Sequence, residues 1–261
     1  SVLRRLADGE ERIFDVTEDA SVSFSDVAGF TNWSSSRTSE QVVQMVSTLV
    51  VAYDKAAREA GVIKVKTIGD AYWAISGLPD PADNSAARIL DFALKQQELL
   101  VGLNEQNPQW NTITLRVGCH TGPLAGGVIG TRQLVYEVFG ETNEIAEEYE
   151  QNAPRGGVLC STASKTLASR TGRYTFTKHT VTLEYDGQPQ ETFVVNRAAA
   201  DDEFIPREQH ESVMVSTNVF ESRRQRARVF ASLGVSEQQS ASPSTAPSAA
   251  QRILMPLPKD D

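Results

Sequence analysis

Two aspartates, Asp26 and Asp70, are the residues whose surroundings best suit them to chemistry. Asp26 closes the run SVSFSD and is followed by VAGFT, a glycine-containing turn expected to start the long helix. Such a turn offers unpaired backbone N–H groups at a positive helix end, where a triphosphate can rest. Asp70 belongs to a Gly-Asp turn, Gly69-Asp70, between two strand-like runs. Singly, each is the ordinary acid of a turn or strand end. Together, on neighbouring strands, they suit a pair of Mg²⁺ or Mn²⁺ ions, which take oxygen ligands and leave part of their shell to substrate phosphates. A second cluster points the other way. GETNEIAEEYEQN, residues 140–152, carries Glu141, Glu144, Glu147, Glu148 and Glu150 with no cation among them. By composition alone that is a solvated helix face, and the spacing of four puts Glu144 and Glu148 on one side of it.

The elements that must position these residues can be read from periodicity and caps. Residues 1–14 read as a short amphipathic linker helix ended by Gly9, and Val22 and Phe24, alternating with serines, predict a half-buried strand ending near Asp26. Val42, Val46, Leu49, Val50 and Tyr53 recur at helical spacing up to Gly61, a C-cap. VIKVKTIGDAYWAISG reads as a hairpin turning at Gly69-Asp70, residues from Asp83 as a second capped helix, and TITLRVGCHTG as another strand. A glycine-rich segment, the acidic helix, a strand GGVLCS, a helix around Ser164 and a hairpin through Tyr185-Asp186-Gly187 complete the pattern. The order β-α-β-β-α-β predicts an α+β sandwich with helices over one face of a mostly antiparallel sheet. Residues 201–261 change texture: a basic run, SRRQRARVF, and a Ser/Ala/Pro/Gln stretch predict a mostly disordered tail.

Composition limits the partners. A net charge of −9 over 261 residues argues against nucleic acid, which usually meets a basic face. Cys119 and Cys160 sit apart with no CxxC, as buried thiols of a reducing compartment do. No apolar run approaches the ~20 residues of a membrane span. With Ser1 in place of an initiating methionine, the expected setting is cytoplasmic, as the intracellular domain of a larger membrane protein; any membrane contact comes through parts outside this chain or weakly through the basic tail.

FSDVAGFT, VIKVKTIGDAYWAISGLP, LRVGCHTGPLAGGVIG and VYEVFG, in this order and spacing, closely resemble the catalytic domain of class III adenylate and guanylate cyclases. The likeness covers about residues 1–197, and RRLADGEERI resembles the segment that precedes such domains in receptor-type cyclases. The resemblance implies a linker helix at 1–14, a cyclase domain at 15–200, and a ferredoxin-like βαββαβ sandwich with additional C-terminal strands that pairs head to tail. It implies attack of the ribose 3′-oxygen on the α-phosphate with loss of pyrophosphate. Asp26 and Asp70, with the backbone of Val27, would hold two Mg²⁺ or Mn²⁺ ions; Gly29, Phe30 and Thr31 and the side chain of Arg116 would meet phosphates. Lys64 and Glu137 match the two base-reading positions. A lysine donor suits adenine N1 and a carboxylate suits the adenine amino group, so ATP is expected ahead of GTP.

The same resemblance exposes a defect. Where active members carry an asparagine and, four residues on, an arginine, this chain has Glu144 and Glu148. Where they carry a lysine-bearing turn, it reads LEYDGQPQETF, with Glu184 and Asp186. The expectation is therefore a domain that supplies metals to a partner cyclase domain in a heterodimer, making cyclic AMP. The alternatives are an inactive pseudocyclase that dimerises and binds nucleotide, a homodimer rescued by another cation, and a guanylate cyclase.

Overall fold

A computed structural model describes residues 2–199 apart from 11, 111–112, 131–133, 184–186 and 188. Helix α1 (Val2–Ala7) stops before Gly9, whose φ of 83° turns the chain toward β1 (Phe14–Ala28). The strand starts earlier than the SVSFSD alternation predicts, and its serines do not face solvent. Ser21, Ser23 and Ser25 are as buried as Val22 and Phe24. Their small hydroxyls let the helix α4 (Ser85–Gln106) lie close: Ser21 Oγ is 2.9 Å from Ser85 Oγ and 2.7 Å from Thr121 Oγ1, and Gln96 donates to Ser25 Oγ at 3.0 Å. Burial of Ser21 and Ser25 is tolerated because their hydroxyls find these partners, whereas Ser23 Oγ is buried without one.

The turn after Asp26 opens a six-residue helix, α2 (Phe30–Ser35), and not the long helix as expected. The long helix α3 (Ser39–Ala60) starts afresh at a capping box in which Thr38 and Gln41 satisfy each other's backbone N–H, and ends at Gly61. β2 (Ile63–Ile68) and β3 (Ala71–Ser76) form the expected hairpin with Asp70 at its tip. Helix α4 is capped by Asn84, not Asp83. β4 (Thr114–Ile129) runs on through the glycine-rich segment and pairs with β5 (Val135–Phe139). Then follow α5 (Glu141–Asn152), β6 (Val158–Ser161), α6 (Thr162–Ala168), β7 (Tyr174–Thr182) and β8 (Pro189–Arg197).

One sheet has the order β2-β3-β1-β4-β6-β8-β7, with β5 on the far end of β4. Its antiparallel β2-β3-β1-β4 part is the expected ferredoxin-like core; β6 joins parallel to β4, and the β7–β8 hairpin extends the edge. Met45, Leu49 and Tyr53 of α3 and Leu90 and Phe92 of α4 pack on Tyr72, Leu115 and Val117. The opposite face is also covered, against expectation, because α5 packs there through Ala146 on Val22, Ile75 and Leu124. That approach explains Gly118, since a Cβ there would lie 2.1 Å from Glu150 N and 2.3 Å from Ala146 O. Cys119 and Cys160 are register partners on β4 and β6, both free and buried. Among the described residues no helix is long and apolar enough to cross a membrane. The expected tail, 201–261, lies outside the described residues.

Candidate active site

Asp26 is the last polar residue of β1, in register with Arg116 of β4, and the β2–β3 hairpin brings Asp70 to it from the other side. The Asp70 carboxyl group lies near enough to Asp26 and to the Val27 backbone N–H for both to act on its protonation. Burial, with the charge of Asp26 next in size, raises the Asp70 pKa to about 6. A cavity of about 380 Å³ opens beside them, lined by residues 26–32, Asp70, Arg116 and Arg155. The expected metal and phosphate positions Asp26, Val27, Gly29, Phe30, Thr31, Asp70 and Arg116 therefore share one cavity. A smaller hollow of about 130 Å³ beside Trp33 and Trp110 has no carboxylate in its lining.

Among the described residues no group of three or more His, Cys, Asp or Glu side chains is arranged for a metal ion. The donors present are two crowded carboxylates and main-chain oxygen, which fit hard divalent cations that draw their remaining ligands from phosphate. The raised Asp70 value comes first from burial and then from the charge of Asp26, and a divalent cation between the two carboxylates would oppose both.

Arg116 serves two acids. Its Nη2 is 3.1 Å from Asp26 Oδ2 and 2.9 Å from Glu150 Oε1. Sequence reading placed Glu150 in the acidic run but not against Arg116. The signal was available: Arg116 and Gly118 share a face of β4, and the glycine marks where a helix must touch it. Burial, opposed by Arg116 and reinforced by Asp26, raises the Glu150 pKa from 4.5 to about 7. Since the folded value exceeds the unfolded one, the folded state binds the extra proton, and stability falls as pH rises from about 4.5 to about 7. Glu150→Gln is thus expected to gain on the wild type with rising pH, by up to roughly 3 kcal/mol. Urea midpoints in EDTA at pH 5 and pH 8 check this; a difference that does not change with pH would refute it.

The expected base-reading pair is not brought together. Lys64 Nζ lies 3.0 Å from Asp54 Oδ1 of α3 and over the Tyr72 ring, whose hydroxyl donates to the same aspartate. Lys66 Nζ, by contrast, lies 3.4 Å from Glu137 Oε2 and over Trp73. The cause is an irregularity in β2: Lys64 pairs with Ala74 and Lys66 with Trp73, so the two lysines take opposite faces of the sheet. Counting by two along a regular strand hides this. Glu144 and Glu148 lie one turn apart on α5, and neither lines this chain's cavity. The acidic run is not a fully solvated face, because Glu148 is 8% exposed and Glu150 6%, while Glu144 is partly exposed. Glu184 and Asp186 lie outside the described residues.

Residues 14–197 match the family described as the adenylate and guanylate cyclase catalytic domain. An adenylate cyclase of Mycobacterium tuberculosis is 34% identical over 159 residues, covering 60% of this chain and 35% of that protein. A soluble guanylate cyclase of Caenorhabditis elegans is 32% identical over 202 residues, covering 76% of this chain and 29% of that protein. This chain therefore spans about a third of the length of those relatives. The guanylate cyclase domain of RhGC from Catenaria anguillulae, solved in complex with GTP, has a TM-score of 0.62 at 26% identity, covering 71% of this chain and 100% of that one. The adenylyl cyclase CyaB of P. aeruginosa, at 19% identity and a TM-score of 0.65 over 73% of this chain and 98% of that one, shows the fold alone.

Proposed function

This chain belongs to the adenylate and guanylate cyclase catalytic domain family, and from that premise we propose that it converts ATP to cyclic AMP and pyrophosphate as the metal-bearing half of a heterodimer. The observation that carries this is the union of Asp26 and Asp70 in one cavity while Glu144 and Glu148 hold the helix that a partner would lend. Asp26, Asp70 and the Val27 backbone would hold two Mg²⁺ or Mn²⁺ ions, which would supply acidification of the ribose 3′-hydroxyl and positive charge for the departing pyrophosphate. Arg116, itself held by Glu150, fixes the orientation of Asp26. The opening amides of α2 at Phe30 and Thr31 have no partner inside the helix and donate to phosphate.

Lys66 and Glu137, both partly exposed on the same side of the sheet, read the base in the neighbouring subunit's site. Lysine donates to adenine N1, and the carboxylate accepts from the amino group; guanine would set its N1–H against the lysine. Exposed Phe14, Val16 and Ile68, and Ile129, Leu134 and Val135 around the β4–β5 hairpin, offer apolar area for a second cyclase domain to cover. The chain spans part of its relatives, among them a membrane guanylyl cyclase of Dictyostelium discoideum, and we read it as the cytoplasmic part of a longer protein.

The transition state needs a cation that α5 of this chain does not carry, so the partner brings the asparagine and arginine. The test is cyclic AMP formation with Mn²⁺ by the chain alone and mixed with a cyclase domain that carries that pair. Activity in the mixture alone supports the heterodimer. Silence in both, with nucleotide bound, supports the second reading, a regulatory pseudocyclase, which the same two glutamates favour. For the base, in a homodimer of the Glu144→Asn, Glu148→Arg variant, where this chain lends the base readers to a productive site, Lys66→Ala is expected to raise KM for ATP about tenfold, the worth of one charge-assisted hydrogen bond. Lys64→Ala is expected to lower Tm through the lost Asp54 pair and leave KM unchanged. The reverse pattern would return the base to Lys64.

A further inference from the structure

We propose that Arg155 is a phosphate-binding residue in this chain's own half of the site, its guanidinium meeting the triphosphate chain of the nucleotide and the pyrophosphate that leaves. The proposal rests on the cyclase reading above and supplies, from the metal-bearing subunit itself, part of the positive charge that the partner-facing elements lack.

The cavity beside Asp26 and Asp70 is lined by two cations, Arg116 and Arg155. Arg116 is already shared between Asp26 and Glu150 at 3.1 and 2.9 Å. A guanidinium between two carboxylates has little net charge left for a third anion. Arg155 differs on each count: it is exposed, and among the described residues its side chain makes no ion pair or hydrogen bond.

Its backbone, however, is fixed. Gly156 N–H donates to Leu115 O at 2.9 Å, Gly157 N–H to Pro154 O at 2.8 Å, and Val117 N–H to Gly157 O at 3.1 Å. Gln97 Nε2 donates to both Leu115 O and Gly157 O. These bonds clamp the loop after α5 onto β4 on either side of Arg116. Arg155 is therefore held at the cavity while its side chain stays free to turn toward a ligand. A forked, always-charged guanidinium matches phosphate oxygens two at a time, and binding costs only its own rotamer freedom.

The experiment measures equilibrium binding of ATP, AMP and inorganic pyrophosphate to the full chain with Mn²⁺, by calorimetry. Arg155→Ala is expected to weaken ATP and pyrophosphate about tenfold, with AMP changed by less than about twofold. Arg155→Glu weakens both further, and Arg155→Lys restores much of the loss. Lying on an exposed turn, none of these variants should shift Tm. If ATP and pyrophosphate bind Arg155→Ala as they bind the wild type, while Asp70→Asn abolishes binding, Arg155 is a solvated loop residue and only this proposal falls. If the wild type itself binds neither ATP nor pyrophosphate, this proposal and the cyclase reading fall together.

Discussion

Asp70→Asn is expected to lower cyclic AMP formation in the complemented mixture about a thousandfold while leaving the metal-free chain more stable than the wild type. The loss follows from removing one of two carboxylates that bind the metals, whose contribution to a phosphoryl-transfer barrier is several kcal/mol. The gain in stability follows from the same crowding. Asp70 is half-buried against Asp26, and its pKa stands at about 6 against 3.8 for the free side chain. An acid whose folded pKa is raised costs stability as pH rises between those values, and the full cost is present at pH 7. Discounted for solvent screening of a half-exposed group, that cost is on the order of 1 kcal/mol. Asparagine keeps the turn chemistry of the Gly69-Asp70 tip, so the hairpin should still form. Melting curves in EDTA at pH 5 and pH 7.5, beside activity with Mn²⁺, separate the outcomes. Opposite movement of activity and stability marks a functional site that is strained in the absence of its ligand. A variant that loses both would place Asp70 among the structural residues, and one that keeps full activity would remove it from the site.

Much of this arrangement was legible from periodicity and turn chemistry because those signals are local. The hairpin at Gly69-Asp70, the capped helices and the β-α-β-β-α-β order needed no tertiary information, and they bring Asp26 and Asp70 to one place. The rest depended on contacts between distant segments. Ser21, Ser23 and Ser25 read as a solvent face because alternation cannot reveal that this face will be covered, with α4 giving partners to the hydroxyls of Ser21 and Ser25. That Lys64 and Lys66 take opposite faces of the sheet was hidden, because the irregularity in β2 appears only once the strand is paired with β3. The acidic run read as solvated because burial of Glu148 and Glu150 follows from α5 seating its backbone on Gly118, and a glycine announces close approach without naming what approaches. Arg155 had no motif at all; what singles it out is the hydrogen-bonded loop that carries it to the cavity.

The double variant Glu144→Asn, Glu148→Arg is expected to raise the activity of the chain on its own about a hundred- to a thousandfold, the usual worth of a donor aimed at developing charge. The direction is set by electrostatics. In a homodimer the lending helix would place two carboxylates opposite the metal-bearing half, where an asparagine would orient the ribose and an arginine would meet charge growing on the α-phosphate. With Glu148 only 8% exposed, that charge is poorly screened, so reversing its sign counts for more than at an open surface. Glu148→Arg should account for most of the gain, because it removes a repulsion and adds a donor, whereas Glu144→Asn does chiefly the first. Glu148 has partners of its own in the fold, so Tm must be measured beside the rate. Folded protein with the expected gain, abolished again by Asp70→Asn, would show that the metals, the base readers and the fold are sound and that the lost transition-state pair alone limits turnover. A folded double variant that stays silent in Mn²⁺ and ATP would instead remove Glu144 and Glu148 from the reacting centre, and with them the reason for calling on a partner.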